Sequence, residues 1–266
     1  MMNNSKRIKG LVFFTMLMAI TAFTWALGHK ILNWQVIHRP EKAVYAQPVR
    51  KTPVYNQAIL QKFATVCQVF NMQKPVFTCS GVINVTDGAD SSKSIRNLTF
   101  TMCKKGSDCF YQFGHTVILN ARGKYICIEN DQKRVIVTEQ KSFIDAPLPD
   151  MSQMAKNMAA DYYNLTDSVA GKNETIAFVN ERHITCKEYA ITFDTLSKKA
   201  NRVYARLTNF KAPERKDREK IIEITIAECD DTADVDKYVG RYTAIRQAGN
   251  STKLTGKYTG YELINL

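Results

Sequence analysis

The sequence predicts a mainly β, α+β fold: a single curved antiparallel sheet, or open barrel, of about nine to eleven strands wrapped around helices, with an N-terminal apolar helix ahead of it. Three observations predict it. Short apolar–polar alternations recur at about ten-residue intervals with polar turns between them. Two segments switch to helical spacing, one before the strands and one in their midst. A charge-free apolar run, Leu11 to Leu27, opens the chain behind Lys6, Arg7 and Lys9. The 266 residues are 45% hydrophobic and 23% charged, which excludes a disordered, collagen-like or multi-span membrane chain. With 12 Gly and 7 Pro there is no low-complexity linker.

In chain order, residues 1–27 read as a signal-anchor or signal peptide. The cations form the n-region, and the apolar run is at the short end for a spanning helix. Thr24-Trp25-Ala26 is a mediocre cleavage site, so an uncleaved anchor is expected, with a cleaved signal as the alternative. Either way the bulk of the chain is exported to the periplasm, tethered to the inner membrane in the first case. Residues 28–53 form a basic spacer with Lys30, Arg39, Lys42, Arg50 and Lys51 against Glu41. Residues 54–266 form the folded domain.

Within it, Ala58, Leu60, Phe63, Val66, Cys67, Val69 and Phe70 follow helical spacing. Phe77, Cys79, Gly81, Ile83 and Val85 then alternate, and Leu98, Phe100 and Met102 alternate again. Runs at 110–113, 115–119, 125–128 and 134–138 complete an antiparallel meander. After the loop Ala146–Asp150, Met151, Met154, Ala155, Met158, Ala159 and Tyr162 share one face of a short helix. Strands resume at 175–179, 188–193, 202–207 and 220–227, where Ile222, Ile224 and Ile226 alternate. Residues 233–239 suggest one or two helical turns, and 242–245 with 258–264 a last hairpin.

The chemistry of an enzyme is missing from the pattern. There is no nucleophile elbow, phosphate loop or His-Glu helical motif, so no catalytic residue and no cofactor is expected. His183 and Cys186 have ligand spacing but no second pair, so no metal is expected either. Nucleic acid is excluded as a partner. Outside the N-terminal segments, the remainder of the net charge of +12 is dispersed, with no Arg-rich helix. Seven Cys are too few for a disulfide scaffold. Cys103 and Cys109 bracket a hairpin turn and are the expected disulfide, with buried thiols expected at the others.

The segments AILQKFATVCQVF, CFYQFGHTVILNARGKYICIENDQKRVIVTEQ and EYAITFDTLSKKANRVYARL look like an opening helix, central hairpins and a later strand–turn–strand. In this order of elements, from about Val54 to Leu266, the chain resembles the LolA-like, lipoprotein-carrier superfamily. The resemblance implies an apolar cavity between sheet and helices that binds or senses lipidated proteins. Phe110, Phe113, Ile126, Met154 and Met158 are the expected lining. The expected function is therefore a non-enzymatic cell-envelope protein binding acyl chains or lipoproteins. The alternative is a membrane-tethered structural or interaction module with a filled core, which binds another envelope protein.

Overall fold

The computed structural model describes residues 51–68, 74–142, 151–241, 244–248 and 251–266. The apolar run Leu11–Leu27, most of the basic spacer, Val69, Phe70 and the loop Ala146–Asp150 lie outside them. Among the described residues no helix is long and apolar enough to cross a membrane.

Helix α1 (Gln57–Cys67) starts where Asn56 accepts a hydrogen bond from the Ala58 amide at 2.9 Å. Its buried face is Phe63, Val66 and Cys67, spaced three and four apart. An antiparallel meander follows: β1 (Val76–Asp87), β2 (Ile95–Lys105), β3 (Asp108–Phe113), β4 (Thr116–Ala121), β5 (Lys124–Glu129) and β6 (Arg134–Glu139). Helix α2 (Met151–Ala160) leads into a second meander: β7 (Asn164–Ala170), β8 (Asn173–Val179), β9 (Cys186–Asp194), β10 (Ala200–Leu207) and β11 (Lys220–Asp230). The chain ends with α3 (Val235–Arg241), the strands β12 (Ile245–Ala248) and β13 (Ser251–Leu254), and β14 (Glu262–Asn265).

The two meanders join edge to edge. The strand order is β14-β6-β5-β4-β3-β2-β1-β11-β10-β9-β8-β7, so β1 and β11 form the seam of one open, twelve-stranded sheet. An open sheet rarely exceeds about ten strands without curling. Two register shifts in the ladders of β1 provide bends. One is in β2, where Ile83 pairs Leu98 but Val85 pairs Ile95. Asn97 takes a positive φ there, and its amide donates to Asn84 Oδ1 at 2.8 Å. Leu98 and Ile95, three apart, thereby stay on the same face. The other is in β11, where Ser80 pairs Glu228 and Gly81 pairs Ile226, leaving Ala227 as the extra residue. Ile226 and Cys229 likewise stay on one face.

Each face of the sheet carries its own core. On the inner face α1 and α2 pack with Phe77, Cys79, Ile83, Phe100, Met102, Tyr111, Phe178, Ile191 and Phe193. On the outer face of the first meander Cys103, Phe110, Val117, Leu119, Ile128, Val135 and Val137 are covered by the C-terminal segment, through Val235, Ala244 and Tyr258.

Several expectations need correcting. The sheet is mixed rather than purely antiparallel, since β14 runs parallel to β6. It has twelve strands: β7 escapes the apolar count, and β14 takes up the end of the run expected at 258–264. The last hairpin joins β12 to β13 as a separate two-stranded sheet. The expected Cys103–Cys109 bond is ruled out by register. Cys103 pairs Phe110 and Cys109 pairs Lys104, so the two sulfurs point to opposite faces. Cys103 belongs to the outer core and Cys109 to the inner one.

Gly81 makes the seam's close packing feasible. A Cβ there would meet the Thr225 carbonyl oxygen at 2.1 Å and the Phe100 ring at 2.8 Å. Gly81→Ala should therefore destabilise the fold by about 3 kcal/mol, the upper end of typical overpacking, because backbone must move. Urea unfolding against the parent chain measures this, and an unchanged midpoint would contradict the pairing of Gly81 with Ile226 across the seam.

Candidate functional site

The strand ladders align the inner-face side chains into rows across the sheet. One row runs Leu98, Ile83, Ile224, Val203, Ile191, Ile176 over β2, β1, β11, β10, β9 and β8. The next runs Ile95, Val85, Ile222, Ala205, Tyr189, Phe178 over the same strands. Both rows are apolar throughout. At their β8–β9 end they are sealed by α1: Phe63 meets Phe178 edge-on at 5.3 Å and Tyr189 at 6.1 Å. Tyr55 meets Phe178 at 5.6 Å, and its hydroxyl donates to the Tyr163 carbonyl at 2.9 Å.

Over the seam the cover thins. Ile95, Leu98, Val203, Ile222 and Ile224 pack against the inner core yet stay half-buried. They form an aliphatic trough across four strands, about 14 Å wide at the usual inter-strand spacing. Half-buried Phe113 extends it at β3, beside Phe100, with ring centroids 6.3 Å apart. Every residue of the trough is apolar, so it offers burial without hydrogen-bonding direction. That suits a ligand of methylenes, each worth about 0.8 kcal/mol when taken from water.

The expected lining is not brought together. Met154 and Met158 of α2 are buried in the inner core, 5% and 2% exposed, and Phe113 packs against it. Phe110 and Ile126 lie on the opposite face. Phe110 stacks on Tyr238 of α3 with centroids 4.3 Å apart. The reason is the two-residue period of a strand: Phe110 and Phe113 are three apart in β3 and cannot share a face. The trough residues were missed as a site because alternation marks a buried face without showing which part of it a helix leaves uncovered. The alternations Leu98–Phe100–Met102 and Ile222–Ile224–Ile226 were their signal in the sequence.

Ion pairs hold the elements around the trough. On α1, Lys62 pairs with Glu174 of β8 and lies 3.5 Å from Asp167 of β7. The Lys62 hydrogen bond holds the Glu174 carboxyl below its ordinary value near 4.5, against the opposing effect of burial. Behind the sheet, Lys187 Nζ meets Glu219 Oε1 at 2.7 Å, both side chains 4% exposed, and donates to the Pro213 carbonyl at 2.7 Å. Arg206 adds contacts of 3.2 Å to both Glu219 and Glu188 and pairs with Glu181. This fixes β9, β10 and the start of β11 in register.

Other polar candidates have structural partners. His183 Nδ1 accepts from the amides of Thr185 at 3.3 Å and Cys186 at 3.2 Å, while Cys186 Sγ donates to the Glu188 carbonyl at 3.2 Å. The His-Ile-Thr-Cys spacing thus builds a turn. Asp230 caps the amide of Thr232, Asp231 pairs with Lys74 at 2.6 Å and Asp236 with Arg122 at 2.6 Å. Among the described residues no group of three or more His, Cys, Asp or Glu could hold a metal ion. Burial pushes the thiols of Cys67, Cys109 and Cys186 up to about 12, which keeps them protonated and poorly nucleophilic.

No protein-family model and no curated protein matches the chain. Among solved structures it is similar to the lipoprotein LppX of Mycobacterium tuberculosis, at 10% identity and a TM-score of 0.31, over 68% of this chain and 100% of that one. It is also similar to a putative outer membrane lipoprotein-sorting protein domain from Vibrio parahaemolyticus, at 8% identity and a TM-score of 0.24, over 64% and 91% of the two chains. What the chain can bind follows from its own residues.

The Lys62–Glu174 contact has a pH signature. Glu174 has a depressed folded-state pKa, so its contribution is present above its unfolded value and is lost as pH falls through the folded one. Lys62→Met should lower stability at neutral pH, and the gap to the parent should close below about pH 4. Thermal unfolding across pH 3–7 checks this; a gap that persists in acid would mean the pair is not its source.

Proposed function

We propose that this chain is a non-enzymatic, exported envelope protein that holds the acyl chain of a lipid or lipoprotein against the trough on its inner sheet face. The observation that carries this reading is the pair of unbroken apolar rows, capped by α1 at one end and only partly buried at Ile95, Leu98, Val203, Ile222 and Ile224 at the other. A folded domain rarely leaves several neighbouring aliphatic side chains partly in reach of water without using them. In this reading residues 1–27 serve as signal-anchor, tethering the domain 54–266 to the inner membrane through the basic spacer 28–53, with cleavage and release as the alternative. The cationic spacer favours anionic head groups. No cofactor or metal takes part.

A second reading has an observation of its own. Strand β7 ends the sheet, and nearly all of Asn164–Ala170 is exposed, Val169 at 65%. An open edge of this kind can pair with a strand of another envelope protein. The core between helices and sheet contributes to this reading too, with Phe63, Phe178 and Phe193 at 1% exposure or less.

Native mass spectrometry on the chain from residue 51 onward, prepared without detergent, separates the two. The acyl reading expects an adduct of lipid mass. It expects Ile224→Glu and Ile222→Glu, at positions less buried than the core, to weaken binding at least tenfold while circular dichroism stays that of the parent. A folded parent without an adduct would overturn it and favour the β7 edge. Met158→Glu is expected to fail differently: its site is 2% exposed, so the buried carboxylate should unfold the domain rather than vacate the trough.

A further inference from the structure

The seam between the two meanders holds a cysteine pair. Cys79 of β1 stands directly opposite Cys229 of β11. The bulge at Ala227 is what returns Cys229 to the inner face; without it the sulfur would point away. Both residues are buried, 3% and 9% exposed, in one core. No other strand cysteine has a cysteine across its ladder: Cys103 faces Thr78 and Phe110, Cys109 faces Lys104 and Asn120, Cys127 faces Ile118 and Ile136, and Cys186 faces Leu207.

We propose that Cys79 and Cys229 form a disulfide that staples the two halves of the sheet across the seam. Directly opposed residues of an antiparallel pair have Cβ atoms about 4.5–5.5 Å apart, and a disulfide needs about 3.5–4.5 Å, so the bond asks for a shift of roughly an ångström. Either thiol can open the exchange: as a thiolate it displaces one sulfur of a disulfide-bearing oxidant, which leaves as a thiolate and takes up a proton. The other thiol, losing its proton, then attacks the first cysteine's Sγ and releases the oxidant's second thiol. Two thiols are oxidised and one external disulfide is reduced. Both sulfurs are covered in the folded chain, so the exchange belongs to the stage before the seam closes.

The test supplies the oxidant, so its outcome is independent of both the export and the acyl-chain readings. The full chain is refolded from denaturant in a buffer of reduced glutathione and glutathione disulfide. It is then denatured, alkylated with N-ethylmaleimide and mapped by peptide mass. The chain has seven Cys, so the expected result is five adducts and one linked peptide joining Cys79 to Cys229. Seven adducts, or a linkage between any other two cysteines, would overturn the proposal. The bond closes a loop of roughly 150 residues, so the bonded chain should lose about 10 °C of Tm on reduction. Cys79→Ala and Cys229→Ala should be indifferent to reductant. A bonded parent whose Tm ignores reductant would overturn the stapling role.

Discussion

The pairing of β1 with β11 is the contact on which the rest of the structure depends. Each meander builds itself from neighbouring hairpins, but only this ladder makes them one sheet. It runs from Thr78 opposite Asp230 to Asp87 opposite Lys220, where Lys220 Nζ and Asp87 Oδ2 lie 3.1 Å apart. Gly81 lets the Phe100 ring lie across β1, and the extra residue Ala227 restores the facing of everything beyond it. The inner core exists because of this seam, since one cluster joins α1 and α2 to buried side chains from both meanders. The trough exists because of it too, since its half-buried residues flank β1 on either side.

The sheet uses its two faces for different ends. The outer face of the first meander is closed by the chain's own C-terminal segment, which stacks Tyr238 on Phe110 and packs Val235 and Tyr258 onto the strands. The inner face carries helices that cover it in part. Apolar surface on the outer face thus serves stability, while on the inner face part of it stays within reach of a ligand. The ion pairs divide along the same line: Lys62 ties α1 to β8 and β7, and the Lys187–Glu219–Arg206 group lies behind the trough, where a buried pair contributes register more than stability.

How much of this was legible in the sequence depended on burial. Strands with one buried face, such as β1 and β2, announce themselves, because the core demands apolar residues at every second position. Strand β7, Asn-Leu-Thr-Asp-Ser-Val-Ala, is exposed on both faces and carries no such imprint. Strand β14 falls at the end of the run expected at 258–264, but its parallel partner β6 lies too far away in the chain to be read from that run. The helices were visible through Phe63, Val66, Met154 and Met158. The site was legible only by halves. Phe113, Met154 and Met158 fall on the inner face, but Phe110 and Ile126 fall on the outer one, and the spacing within β3 already contained that answer. The bulges at Asn97 and Ala227 decide which side chains share a face, and a local sequence gives no warning of them.

The seam also dictates an order of events during synthesis. Strand β1 leaves the ribosome long before β11, which follows some 140 residues later. Until then the first meander can fold through local hairpins, but β1 presents an unpaired edge flanked by apolar side chains. Contacts so distant in sequence form slowly, and an unpaired strand waiting for its partner is a site for association with other chains. A protein built this way makes its half-finished state the hazardous one, and its yield depends on how long β1 stays unaccompanied.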